Sequence, residues 1–235
     1  MNIFVRLLAS LFQSLGARKA VSSVQLSSTP EKTVKPYEGF KIVLDPGHGG
    51  RRGKRDPGAV GHVDSEEIYE RDVVLKICEQ LAFKLDSLGF EVVLTRVDND
   101  PGAKSTLGAK VRIVKVEKPD LFVSIHANAN AGTPAQGIET FYHSGRNESI
   151  DLARCIQANL MDNFPTHKDR GVKNGSHLYV LRSTTVKAEC LVECEFINHP
   201  KQVKFLLQNP ERIAEAISKG IQKYLIKVQG GANND

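Results

Sequence analysis

The run from residue 121 to residue 126, Leu-Phe-Val-Ser-Ile-His, constrains the fold more than any other stretch of the chain. It is apolar on both of its faces, which is typical of a central strand in a parallel sheet that helices cover on both sides. A second apolar strand, at residues 40–44, runs into the turn Asp45-Pro46-Gly47 and then presents His48. The sequence therefore predicts a buried sheet in which two strands each deliver a histidine, His48 and His126, just beyond their ends.

The rest of the folded region alternates between strand and helix patterns. Further strands are predicted at residues 91–96, 137–142, 178–182 and 189–197, a loop at 169–173, and helices at 66–87, 106–117, 149–164, 200–207 and 210–228. This alternation predicts an α/β fold with a single domain, a twisted, mostly parallel (mixed) β-sheet of about six strands, and helices on both faces.

The two ends of the chain have a different composition from the middle. Residues 1–20 carry apolar residues interrupted by polar ones, which is typical of either an export signal or an amphipathic leader helix, and they are too short and too polar for a stable transmembrane anchor. Residues 21–38 are predicted to be a flexible linker, 39–229 the folded domain and 230–235 a disordered tail. We adopt the export interpretation, which places the protein outside the cytoplasm, in the periplasm, in the cell wall or secreted.

The charge of the chain restricts its partners. The formal net charge is +5 and the isoelectric point is near 9.0, which favours an anionic partner such as nucleic acid, a membrane surface or an acidic wall polymer. The chain has no tryptophan and no long basic block with interleaved aromatic residues, so we expect no nucleic-acid binding.

The four cysteines do not indicate a metal or redox motif. Cys78, Cys155, Cys190 and Cys194 lack the paired spacing of zinc ribbons and thiol oxidoreductases. Cys190 and Cys194 lie four apart in a predicted strand, which separates them by about 13 Å, too far for a disulfide. We therefore predict free, buried thiols.

A metal site is the first functional hypothesis that the residues support. His48, His126 and Glu70 in the first turn of the intervening helix provide two imidazoles and a carboxylate, a donor set that suits a catalytic zinc with one open position. Spacing alone leaves His62, Glu66 and Glu67 as competing ligands.

A proton carrier is the second requirement of a zinc hydrolase. Glu193 lies in an apolar strand, where a carboxylate rarely stands without a partner or a function. Strand alternation puts Glu195 on the same face, so the residues alone leave both glutamates as candidates.

Many ordered motifs resemble one protein family. The chain resembles the zinc-dependent N-acetylmuramoyl-L-alanine amidases of bacterial cell-wall hydrolysis, the amidase type 3 family, over about residues 40–225. The matching motifs are Val43-Leu-Asp-Pro-Gly-His-Gly-Gly50, Asp56-Pro-Gly-Ala-Val-Gly61, Glu70-Arg-Asp-Val-Val-Leu75, Glu91-Val-Val-Leu-Thr-Arg96, Leu121-Phe-Val-Ser-Ile-His-Ala-Asn-Ala129, Gly137-Ile-Glu-Thr-Phe-Tyr142, Asp169-Arg-Gly-Val-Lys173, Tyr179-Val-Leu-Arg182 and Leu191-Val-Glu193.

The resemblance implies roles for individual residues. It implies one zinc ion per chain on His48, Glu70 and His126, with Glu193 as the catalytic glutamate. It thereby decides against the competing candidates, which are His62, Glu66, Glu67 and Glu195.

The chain departs from the family pattern at several positions, of which Glu195 and Lys110 are two. Glu195 stands where the family usually has glycine, so we expect a second carboxylate that is close to the site and raises the pKa of Glu193. Lys110 stands where an arginine is usual in the second helix. Neither departure removes a ligand.

The implied function is hydrolysis of the amide bond between the lactyl group of N-acetylmuramic acid and L-alanine. Peptidoglycan is then the anionic partner, and we expect a monomer. The weaker candidates for substrate binding are Arg182, Arg170, Lys173, His177 and Asn128. Another zinc peptidase of the wall, such as a carboxypeptidase, and a non-catalytic wall-binding module are the alternative hypotheses.

Overall fold

The structure of the chain is a computed structural model that describes residues 35–51, 54–97, 106–132 and 135–231. The predicted leader, residues 21–34 of the predicted linker and the last four residues lie outside this description. Tyr37 belonged to the predicted linker, but it is buried and its ring stacks on Phe90 at 4.8 Å between centroids. The folded domain therefore begins before residue 39, because an aromatic side chain at this position completes the core.

The domain contains ten strands and six helices within its described ranges. In chain order the strands are β1 (Lys41–Pro46), β2 (Gly49–Arg51), β3 (Lys54–Asp56), β4 (Val60–Val63), β5 (Glu66–Tyr69), β6 (Glu91–Leu94), β7 (Leu121–Asn128), β8 (Ile138–Tyr142), β9 (Asp169–Asn174) and β10 (Ala188–Phe196). The helices are α1 (Glu70–Leu88), α2 (Leu107–Glu117), α3 (Asn147–Asn163), α4 (Tyr179–Ser183), α5 (Pro200–Gln208) and α6 (Pro210–Gly231).

Six strands form the main sheet in the order β6-β1-β7-β10-β8-β9. All neighbouring pairs are parallel except β8 with β10, which is antiparallel. Strand β7 lies in the interior of the sheet, as its apolar composition predicts, and its neighbour there is β1, the strand that precedes His48. Short hairpins, β2 with β3 and β4 with β5, fill the connection between β1 and α1.

Helices cover both faces of this sheet. The larger core joins α1, α3, α5 and α6 to one face, and the smaller core joins Val114 of α2 and Val180 and Leu181 of α4 to the other. Helix α1 ends at Gly89, which adopts the left-handed conformation with φ of 105°. The predicted α/β class, the six-stranded mixed sheet and the two helical layers are confirmed.

Three element predictions are wrong, each for a local reason. Residues 66–69 form strand β5 rather than the start of a helix, because they pair with β4. Residues 169–174 form β9 rather than a loop, since an edge strand needs few apolar residues. Residues 179–183 form helix α4 rather than a strand, because one helical turn buries the adjacent pair Val180 and Leu181.

The chain ends in a longer helix than predicted. Helix α6 continues to Gly231, two residues into the predicted tail. All four cysteines are free, as predicted, and Cys78, Cys190 and Cys194 are buried. The prediction of a buried thiol is wrong for Cys155, which is half-buried on α3. Within the described ranges, none of the helices has both the length and the apolar character needed to cross a membrane.

Candidate metal centre

Three side chains from separate elements meet at the carboxyl-end rim of the sheet. His48 follows β1, Glu70 is the first residue of α1, and His126 lies near the end of β7. One ligand atom from each lies within 4.8 Å of the others. The structure therefore brings together the three residues that the resemblance implies as ligands.

Two glycines allow this close approach. A Cβ atom at Gly47 would lie 2.6 Å from His126 Nδ1, and one at Gly58 would lie 2.6 Å from Glu70 Oε2. Both distances are shorter than a van der Waals contact, so a larger residue at either position displaces a ligand. His48 itself adopts a left-handed backbone with φ of 58°, which turns its ring toward the other two.

The carboxylate of Glu70 is at the centre of the group. Its Oε1 accepts a hydrogen bond of 3.1 Å from the Ala127 N–H and lies 2.9 Å from His126 Nδ1. Its Oε2 accepts a hydrogen bond of 2.9 Å from the Ala59 N–H and lies 3.0 Å from His48 Nε2. Burial opposes ionisation of this carboxyl group, but the two histidines hold the pKa of Glu70 well below its usual range.

Asp56 orients the first histidine. Its Oδ1 lies 3.2 Å from His48 Nδ1 and leaves Nε2 facing Glu70. Burial lowers the pKa of His48, but Glu70 and Asp56 together raise it above the usual value. A carboxylate behind a histidine is the usual outer partner of a metal ligand. Asp56 was not predicted as a site residue, although its position at the start of the motif Asp56-Pro-Gly-Ala-Val-Gly61 was a signal.

The donor chemistry of this group fits zinc. Two imidazoles and one carboxylate are the ligands that catalytic zinc sites use while a further position stays open. The competing candidates His62, Glu66 and Glu67 lie exposed on the β4–β5 hairpin, where His62 pairs with Glu67 across the strands. Among the residues that the structure describes, the only cluster of metal-ligating side chains is His48, Glu70 and His126.

Glu193 lies beside this group. In the register of the sheet it stands between His126 on β7 and Glu139 on β8. Its Oε2 is buried and has no hydrogen-bond partner among the described residues. Burial, with the negative charges of Glu70 and Glu139, raises the pKa of Glu193 well above its usual value. This carboxyl group is suited to taking up a proton.

Glu195 faces a different environment. The register of β10 shifts between Glu193 and Phe196, so the simple alternation fails at this point. The carboxylate of Glu195 accepts a hydrogen bond of 2.7 Å from the Gly137 N–H and lies 2.8 Å from His167 Nδ1. The prediction that Glu195 raises the pKa of Glu193 is corrected, because the carboxylates responsible are Glu70 and Glu139.

The five candidates for substrate binding fall into two groups. Arg170, Lys173 and Asn128 all donate hydrogen bonds to Glu139. Arg182 and His177 lie exposed at helix α4, where the Arg182 guanidinium lies 5.6 Å from the centre of the Tyr179 ring. Glu139, which was not predicted as a site residue, shows the same signal as Glu193: an acidic residue within an apolar strand.

The chain is similar to known cell-wall amidases over most of its length. The chain is 38% identical over 209 residues to an uncharacterized cell wall amidase of Bacillus anthracis, covering 83% of this chain and 37% of the relative. It is 34% identical over 228 residues to the N-acetylmuramoyl-L-alanine amidase LytC of Bacillus subtilis, covering 90% of this chain and 43% of the relative. The chain thus spans about two fifths of the length of these two relatives.

A solved structure and a family model extend the comparison. The CwlD amidase of Clostridioides difficile, solved in complex with the GerS lipoprotein, is similar with a TM-score of 0.70 and 33% identity, covering 79% of this chain and 98% of that one. Residues 42–223 match the family model described as N-acetylmuramoyl-L-alanine amidase. With the fold, the motifs and the site in agreement, the chain belongs to the N-acetylmuramoyl-L-alanine amidase family.

Proposed function

We propose that this protein is a peptidoglycan hydrolase that cleaves the amide bond between the lactyl group of N-acetylmuramic acid and L-alanine of the stem peptide. The observation that supports this most strongly is the convergence of His48, Glu70 and His126 beside Glu193. The three ligands hold one zinc ion per chain, and Glu193 is the catalytic residue.

Zinc held by these ligands would supply Lewis acidity, which lowers the pKa of a water molecule and stabilises negative charge on the amide oxygen. Glu193 accepts the proton of the attacking water and then delivers it to the departing alanine nitrogen. A carbon–oxygen bond forms, the carbon–nitrogen bond breaks, and the products are the lactyl carboxylate and a free amine. The raised pKa of Glu193 matches both transfers, because the group must bind the proton and release it.

Five residues are the candidates for substrate binding. Arg182 and His177 are exposed and take the carboxylates of the stem peptide, while Arg170, Lys173 and Asn128 donate hydrogen bonds to Glu139, the β8 neighbour of Glu193. The net charge of +5 attracts the protein to the anionic wall. The protein acts as a monomer outside the cytoplasm, where this substrate lies.

The proposal is tested with Glu193→Gln, which preserves shape and removes the base. We expect the rate of release of soluble wall fragments to fall by about 10²–10⁴-fold, the usual contribution of a general acid or base. Zinc content, measured by mass spectrometry of the purified protein, stays at one ion per chain.

The matched control is Glu79→Gln, which makes the same change at an exposed position of α1. We expect full activity and full zinc content. Wall release by Glu193→Gln at the rate of the unaltered protein would contradict the proposal.

A further inference from the structure

Three charged side chains are buried directly behind the metal centre. Asp45 is fully buried, Lys110 is 2% exposed and Arg96 is 5% exposed. We refer to Asp45, Arg96 and Lys110 as the buried charge cluster. They come from β1, from the residues after β6, and from α2, and none of them is part of the mechanism proposed above.

Arg96 ties together the backbone at two of the ligands. Its Nη2 donates hydrogen bonds of 2.7 Å to the Gly47 carbonyl and 2.8 Å to the Arg71 carbonyl. Gly47 immediately precedes His48, and Arg71 immediately follows Glu70. One guanidinium group therefore connects the turn that carries the first ligand to the helix start that carries the second.

Asp45 and Lys110 extend the cluster to the third ligand strand. Lys110 Nζ lies 2.7 Å from Asp45 Oδ1 and donates a 2.6 Å hydrogen bond to the Pro46 carbonyl. Ser124, two residues before His126 on β7, donates a 2.7 Å hydrogen bond to Asp45 Oδ2. Thr95 Oγ1 donates a 2.6 Å hydrogen bond to Asp45 Oδ1. The cluster thus contacts all three segments that present ligands.

Stability alone does not account for such a cluster. A well-packed apolar replacement of a buried ion pair is often as stable as the pair or more stable, because both charges must be removed from water. Arg96 instead places its hydrogen bonds on the carbonyls of Gly47 and Arg71, each next to a ligand, where small displacements change the positions of the ligand atoms. Metal centres depend on such outer contacts to hold their ligands in place.

We propose that Arg96, supported by Asp45 and Lys110, is a positioning residue that fixes the turn before His48 and the start of α1 in the metal-binding arrangement. This inference rests on the proposed metal site.

The test replaces Arg96 by lysine, which keeps the charge but loses the planar group that reaches several carbonyls at once. Co²⁺ serves as the probe, because its visible absorption spectrum reports ligand geometry. We expect the affinity of Arg96→Lys for Co²⁺, measured by competition with a chelator, to fall by about 10–100-fold, with a changed absorption spectrum.

The matched control is Arg146→Lys. Like Arg96, Arg146 donates a hydrogen bond to a backbone carbonyl, that of Thr184, at 2.7 Å. It also binds the fully buried Glu189, but it lies near the amino end of β10, away from the ligands. We expect the Co²⁺ affinity and spectrum of Arg146→Lys to match those of the unaltered protein. This expectation holds even if thermal unfolding of the metal-free proteins shows that Arg146→Lys and Arg96→Lys lose similar stability.

Equal Co²⁺ affinity and an unchanged spectrum in Arg96→Lys would overturn the inference, as would an equal loss of affinity in Arg146→Lys. If Arg96→Lys does not fold, Thr95→Val removes one hydrogen bond from Asp45 with little change in volume. We expect a smaller loss of affinity in that variant, and no change in affinity or spectrum would overturn the role of the cluster. Failure of the unaltered protein to bind Co²⁺ would instead overturn the metal site itself.

Discussion

At the scale of single residues, Gly58 shows how closely the backbone approaches the ligands. Its φ is +68°, and a Cβ atom there would lie 2.6 Å from Glu70 Oε2 and 2.7 Å from His48 Cδ2. The position therefore requires glycine for two reasons, the backbone conformation and the space that two ligands occupy.

Gly58→Ala is predicted to weaken zinc binding, because the added methyl group displaces Glu70 or His48. Gly171→Ala is the matched control, since Gly171 has a φ of +71° but no atom within 4 Å of an added Cβ. Both variants carry the same backbone strain of about 1–2 kcal/mol. The measurement is zinc affinity by competition with a chelator, which should be lower in Gly58→Ala than in Gly171→Ala. Equal affinities would show that crowding at the ligands has no effect.

The sequence predicted the ligand residues unevenly. His48 and His126 stand out because each ends an apolar strand, whereas spacing could not separate Glu70 from Glu66 and Glu67. The resemblance made that choice, and the structure explains it: Glu66 and Glu67 lie on a hairpin strand, and only Glu70 occupies the helix start that faces both imidazoles. Arg96 lies in one of the motifs that resemble the family, but its hydrogen bonds to backbone carbonyls leave no pattern in the sequence.

At the scale of elements, the bulge in β10 decides which carboxylates raise the pKa of Glu193. A regular strand would place Glu195 on the same face as Glu193, but the register shift directs it to His167 and the Gly137 N–H. Periodicity in a sequence does not show a bulge. The neighbour of Glu193 in the sheet is Glu139, which raises the pKa of Glu193 together with burial and Glu70.

Glu139→Gln is therefore predicted to move the acid limb of the kcat/KM profile to lower pH. Glu193 must be ionised to act as a base, and removing a neighbouring negative charge lowers its pKa, so activity persists further into the acid range. The measurement is the rate against pH on a soluble muropeptide.

Glu195→Gln is the matched control for this profile, and we expect its acid limb to stay in place even if the protein is less stable. A shift in Glu195→Gln without a shift in Glu139→Gln would contradict this assignment of the charges.

At the scale of the whole described domain, the strand order brings the candidate site residues to one rim of the sheet. β1, β7 and β10 are parallel neighbours, so their carboxyl ends deliver His48, His126 and Glu193 to the same rim. The fold class could be predicted from the alternation of elements, because it depends on apolar runs. The edge strand β9 and helix α4 could not be predicted from the sequence, because such short segments are compatible with more than one conformation.

The products of a peptidoglycan digest identify the bond that this protein cleaves. Mass spectrometry of purified peptidoglycan treated with the zinc-loaded protein should show peptides that begin with a free L-alanine amine. The same digest should contain glycan strands that keep an unsubstituted lactyl carboxylate, and neither product should form with a chelator present. Glycan strands that still carry L-alanine, with only terminal residues of the stem peptide released, would contradict the account and indicate a carboxypeptidase instead.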